Sequence, residues 1–230
     1  MAADTPEALI KQLLLEKSIL KHGIAKKTND VFNQLRKVLR ETMLNLRNTA
    51  YEIDPSVLID YKENGAYESH LKIAEDSIIF LMHTNIFTFD KDHHIWRTSY
   101  LDEDPSRSYC GVIYVYNFLS DSFKYNRTKD AGYLIARIFV NKDLHFFVEG
   151  KRQLGFLYND FENAVIDESQ MKAVIESAII YSLDFDLYTP PYDDMKQISV
   201  EEIMQTTMNA SITTGKRLGF RFQADNDQTE

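Results

Sequence analysis

The sequence predicts an α+β fold: an N-terminal helical pair, a central, mostly antiparallel sheet of about 5–7 strands, and C-terminal helices. Three observations carry it. Apolar residues recur at steps of three and four up to Ala50, alternate at steps of two from Val57, and return to the helical step after Asp167. Turn signals punctuate the middle region at short intervals. The run Tyr133–Lys151 reads as a hairpin apolar on both faces, which places it at the centre of a sheet covered on both sides.

At the N-terminus, Thr5-Pro6-Glu7 is an N-cap, a proline at the first helical position and a first-turn acid. The first helix is expected to end near His22-Gly23, and Lys26–Asp30 to be a polar break. A second helix then carries the stripe Phe32, Leu35, Leu39, Met43, Leu46 and Ala50, and Asp54-Pro55 stops it. Strands follow at Leu58–Tyr61, Tyr67–Ile73, Ser77–Phe89, His93–Tyr100 and Tyr109–Phe118. Turns are expected at Glu63-Asn64-Gly65, at Ala74-Glu75-Asp76 and at Asp90-Lys91-Asp92. Residues 117–130 read as a short helix or an ordered loop. In the central hairpin, pairing about Lys142 sets Val140 opposite Leu144 and Ile138 opposite Phe146. Asp167-Glu168-Ser169-Gln170 is a capping box opening a helix with Met171, Val174, Ile175, Ala178, Ile179 and Ser182 on one side. Ser199–Glu202 is a second such box, Leu218–Phe222 a short edge strand, and residues 224–230 a disordered tail. The domain reading is an arm over 1–54, an α+β domain over 55–222 and a tail over 223–230. This outline, a helical lead-in before a sheet, is similar to PAS- or GAF-type sensor domains.

Composition narrows the class. Of 230 residues, 44% are hydrophobic and 27% charged, ordinary for a globular chain. No stretch approaches the roughly 20 apolar residues of a membrane span. The single cysteine, Cys110, allows no intrachain disulfide and fits a reducing compartment, so a cytoplasmic location is expected. The start, Met-Ala-Ala-Asp-Thr-Pro-Glu, is acidic and helix-capping in character. Net charge is −9, split unevenly: residues 1–50 hold nine Lys/Arg and five Asp/Glu (+4), and the remainder 17 and 30 (−13). A general nucleic-acid coat does not fit that balance. A basic arm on an acidic body suits docking on its own sheet, on a second subunit or on phosphates.

The chemistry-bearing candidates are few. Gly-rich phosphate loops, His-Glu-x-x-His and Gly-x-Ser-x-Gly are all missing from the sequence. Glu149-Gly150-Lys151 closes an apolar strand, and the pair resembles the second half of the PD-(D/E)xK nuclease signature. That resemblance implies a magnesium site on Asp130 and Glu149, with Lys151 steadying the attacking water or the phosphate; no proline precedes Asp130, a departure from the pattern. Otherwise no cofactor is expected. Arg137, on an apolar strand, must find an anionic partner. With Tyr133, Arg127 and Arg152 it forms a candidate anion site, and the aromatics of the central strands are either core or the walls of a pocket for a planar ligand. His93 and His94, beside Asp90 and Asp92, are candidate metal ligands on an exposed turn. Phe32, Leu35, Leu39, Met43 and Leu46 are the candidate oligomer contact. The function expected is therefore a binding, regulatory or assembly module that self-associates with itself or another protein subunit. The alternative is a magnesium-dependent nuclease or phosphodiesterase.

Overall fold

A computed structural model of the chain describes residues 5–201, 203 and 204. Helix α1 (Pro6–Leu13) runs through a π-helical turn (Leu14–Ser18) into α2 (Ile19–Ile53). Thr5 caps the start, its Oγ1 accepting from Ala8 N at 3.2 Å, and Asp54 ends it. The break expected at Gly23 and Lys26–Asp30 does not occur, so the helical pair is one rod. Ile24 and Thr28 are buried within that stretch, and Gly23 has open space around it. Tertiary packing outweighs the poor helix propensity of one glycine.

Strands β1 (Ile59–Asn64), β2 (Glu68–Ile73), β3 (Asp76–Met82), β4 (Cys110–Leu119), β5 (Tyr133–Asn141) and β6 (Phe146–Gly150) form one antiparallel sheet in sequence order. Short helices α3 (Ser99–Glu103), α4 (Ser120–Lys124) and α5 (Gln153–Phe156) lie between or after strands, followed by α6 (Glu168–Leu183) and α7 (Tyr192–Met195). The expected strand at His93–Tyr100 is instead a 3-10 turn (His94–Arg97) leading into α3. Ile95, Tyr100 and Leu101 are buried from successive helical turns, which a two-residue alternation does not distinguish over so short a run. Val200, Glu201, Ile203 and Met204 are helical, as expected after Ser199. The rest of that helix, the edge strand at Leu218–Phe222 and the tail lie outside the described residues.

One face of the sheet packs on α2 and α6. Phe32, Leu35 and Leu39 of α2 and Met171, Val174 and Ile175 of α6 meet Leu71, Ile78, Phe80, Ile113, Ile138 and Val148 in a single core. That core runs across residue 54, so the arm and the body share their interior. Asp167 caps α6 by accepting from Gln170 N at 2.7 Å. Arg36 fastens α2 to the first hairpin: its Nη2 donates to Gly65 O at 2.7 Å and Glu68 O at 3.1 Å, and its Nε to Ser69 Oγ at 3.2 Å. Gly65 there has φ +67°, the conformation the Asn-Gly pair announces.

The other face is half covered. The segment between β3 and β4 folds over it, so that Phe87, Phe89, Ile95, Tyr100 and Leu101 pack with Val112, Phe139, Phe147 and Phe161. The central hairpin is thus covered on both sides, but its register differs from expectation. Val140 pairs Phe146 and Ile138 pairs Val148. The turn is centred on Asp143 rather than Lys142, with Leu144 at φ +63° and Asn141 Oδ1 accepting from Asp143 N and His145 N. A slip of two leaves each side chain from Ala136 onward on its expected face. Ile135 is the exception. A bulge between Val115 and Tyr116 leaves it unpaired and turns it into the helix-side core.

On that helix-covered face Asn117 is fully buried, and neither side-chain amide atom has a hydrogen-bond partner among the described residues. An unpaired buried polar group costs about 1–3 kcal/mol. Asn117→Leu is therefore expected to raise the unfolding free energy by about 1–2 kcal/mol in urea melts; a lower midpoint would refute this.

Candidate functional site

The uncovered half of the second face carries a cavity. Successive residues of a strand point to opposite faces, so while Leu71, Ile73, Ile78 and Phe80 enter the core, Glu68, His70, Ile79, Leu81, Tyr116 and Phe118 face away from the helices. The stretch from α4 to Gly132 folds beside them and adds Ser122, Phe123, Asn126, Arg127, Thr128 and Asp130. Together they enclose about 540 Å³, within the range of small-molecule sites.

The walls are aromatic. The Phe123 ring sits edge-on to His70 at 5.2 Å and to Phe118 at 5.3 Å. Phe118 in turn brings the tip of its ring against Gly132, where an added Cβ would fall 2.1 Å from Cζ. Any other residue at 132 would push Phe118 off the wall. The polar groups gather at the rim. His70 Nε2 is 2.6 Å from Glu68 Oε1, which also accepts from Asn64 Nδ2 at 2.9 Å. Ser122 Oγ donates to Asp130 Oδ2 at 2.7 Å, holding the 120–132 segment closed on itself. The Arg127 guanidinium lies 5.3 Å from the Tyr125 ring.

Past the cavity the same sheet face becomes polar. Tyr116 is 6.0 Å from Tyr114 between ring centres, and Tyr114 pairs with Arg137 across β4 and β5. Arg137 pairs in register with Glu149 and makes an ion pair with its Oε2. The other carboxylate oxygen is 2.9 Å from His93 Nε2. Burial raises the Tyr116 phenol above its ordinary range, Tyr114 adds to this, and Arg137 opposes it. His94, its ring tilted against His93 at 4.4 Å between centres, has its pKa lowered first by burial and then by His93. The Arg137 side chain remains 43% exposed, so its ion pair is partly screened by water.

The residues singled out from sequence disperse. Asp130 and Arg127 line the cavity, whereas Glu149 and Lys151 do not. Both Glu149 oxygens are occupied by Arg137 and His93, and Lys151 follows β6, tied to β5 through its backbone N–H to Ile135 O at 3.0 Å. Among the described residues no group of three or more His, Cys, Asp and Glu converges as a metal site, which leaves the histidine ligands unassembled; of the magnesium pair, Asp130 accepts from Ser122 while Glu149 meets Arg137 and His93. Arg152 pairs with Asp184 at 2.7 Å beside Tyr181, and Tyr133 packs against the helix-side core, so neither joins Arg137. The stripe Phe32, Leu35, Leu39 and Met43 is buried in the chain's own core with Leu46 at its edge, and is therefore not an oligomer contact. Cys110 is fully buried, and burial pushes its thiol far above the usual range, which suits a packing role.

Glu68, His70, Ile79, Leu81 and Phe123 were not singled out from sequence. For all but Phe123, which lies on α4, the signal was available in the alternation of β2 and β3, which sets residues on the face away from the core. Comparison with known proteins finds no family model, no curated protein and no solved structure that matches this chain, so the outline shared with PAS and GAF domains rests on element order alone. No helix among the described residues is long and apolar enough to cross a membrane.

Proposed function

We propose that this chain is a cytoplasmic binding module that holds a small amphipathic ligand, without turnover, on the open half of its sheet. The supporting observation is the cavity of about 540 Å³ between His70, Phe118, Phe123 and the floor residues Ile79 and Leu81. Aromatic walls suit a planar apolar body, which stacks between rings or meets their edges. The rim supplies two carboxylates, an imidazole and a guanidinium, enough to orient a polar head by hydrogen bonds. The Phe118–Gly132 contact keeps the wall in place before a ligand arrives, and such preorganisation favours affinity.

The test is thermal melting against a panel of small indole- and benzene-bearing amphiphiles. A ligand at a hundred times its dissociation constant adds about 2.7 kcal/mol of stability, an easily read rise in Tm. Leu81→Trp fills the floor and is expected to abolish that rise while the unliganded protein melts as before. A panel with no stabilising member, together with a Leu81→Trp protein that unfolds, would mark the cavity as a packing gap and end the reading.

A further inference from the structure

Two segments at opposite ends of the described chain leave apolar surface uncovered. Residues 5–19 are exposed throughout, and Ile24 is the first fully buried residue of α2. The helix therefore overhangs the body by about 20 Å. Leu9, Ile10, Leu13, Leu14, Leu15 and Ile19 lie on this overhang, from 41% exposed at Leu13 to 64% at Leu15. They occupy most of its circumference, the pattern of a helix that is buried, and a short helix takes most of its stability from packing. At the other end, after α6, the chain over 184–204 exposes Leu187, Tyr188, Tyr192, Met195, Ile198 and Val200, with Tyr192 84% exposed. Exposed apolar surface on this scale marks an interaction site.

The charges of the two segments are opposite. Residues 6–27 hold Lys11, Lys17, Lys21, Lys26 and Lys27 against Glu7 and Glu16, a net +3. Residues 184–204 hold Asp184, Asp186, Asp193, Asp194, Glu201 and Glu202 against Lys196, a net −5. Within one chain neither covers the other, since both remain exposed.

We propose that the N-terminal overhang of one copy packs on the 184–204 segment of a second copy of this chain. Under two-fold symmetry the contact forms twice, overhang on tail and tail on overhang, so the apolar residues of both copies are buried at once. The leucines and aromatics supply the affinity, and the lysine and carboxylate rims select this pairing over overhang on overhang. This surface lies apart from the cavity, and the interaction stands whether or not the cavity holds a ligand.

Light scattering on the full chain at tens of micromolar is expected to give a dimer. Leu13→Glu with Leu14→Glu, and separately Tyr192→Glu with Met195→Glu, are expected to give monomers with unchanged circular dichroism, because all four side chains are exposed in the single chain. The decisive pair of variants reverses charge. Lys11→Glu with Lys17→Glu sets a net −1 overhang against the −5 tail; Asp186→Lys with Asp193→Lys and Asp194→Lys sets a net +1 tail against the +3 overhang. Each alone is expected to weaken association at least tenfold, and an equimolar mixture to restore the dimer, since both contacts are then complementary. A monomeric full chain overturns the proposal. So does a tail-reversed protein that dimerises normally, which would mean overhang on overhang, and so does a mixture that stays monomeric. A full chain that is monomeric in solution and floats with anionic phospholipid vesicles would assign the overhang to membrane surfaces instead.

Discussion

Phe32→Ala is expected to lower the unfolding free energy by about 3–5 kcal/mol. Phe32 is completely buried where α2 crosses the sheet, in the same core as Ile78, Phe80 and Ile138. Its loss removes the apolar contact of an aromatic ring and opens a cavity that neighbouring strands, fixed by their ladders, do not close. The ring also lies 4.7 Å from the Arg36 guanidinium, which fastens the helix to the β1–β2 turn, so the truncation loosens that clamp as well. Urea melts give the difference with the slope unchanged. Leu14→Ala serves as the control: on the exposed overhang it is expected to shift stability by less than about 0.5 kcal/mol at monomer concentrations. A Phe32→Ala loss near that of the control would mean that α2 does not hold the sheet as described.

Gly111→Ala is expected to cost about 3 kcal/mol, the upper part of the usual range for overpacking. A Cβ at 111 would stand 2.1 Å from Thr28 Oγ1 and 2.8 Å from Thr28 Cβ, inside any real contact. Thr28 has no freedom to withdraw, for it is buried and its hydroxyl donates to Ile24 O at 2.9 Å. The helix must then move off β4. Thr28→Gly on its own weakens the helix by about 0.5 kcal/mol in propensity, yet combined with Gly111→Ala it is expected to recover most of the loss. Double-mutant coupling isolates the contact. Additive losses would show that the helix does not approach β4 through these two residues.

Much of the architecture was legible because it follows from repeated local signals. The α6 stripe from Met171 to Ser182, the Asn-Gly turn and the helix stop at Asp54 are each set by chemistry within a few residues, and each stands as read. What was not legible depends on contacts between distant residues. The helix continues through Gly23 and Lys26 because Thr28 seats on Gly111, far along the chain. The hairpin closes about Asp143 because Leu144 takes a left-handed conformation, one that no leucine advertises. The bulge that turns Ile135 inward belongs to the pairing of two strands and to neither sequence alone. The candidate site was half legible for the same reason. Asp130 and Arg127 were drawn from local charge and do line the cavity, but Glu149 was bound to them by motif rather than position, and the fold assigns it to Arg137 and His93.

The strictly sequential order of the sheet has a consequence during synthesis. Every strand pairs with a neighbour that left the ribosome just before it, so the sheet grows by adding one hairpin at a time and never waits on a remote partner. The long helix is in the opposite position. It is made first, and the core that buries Val31, Phe32, Leu35 and Leu39 is still incomplete when β5 emerges about a hundred residues later, with α6 yet to follow. At about 5–20 residues per second that interval lasts on the order of ten seconds. Throughout it part of that apolar ridge stays bare on the nascent chain, the kind of surface that chaperones hold.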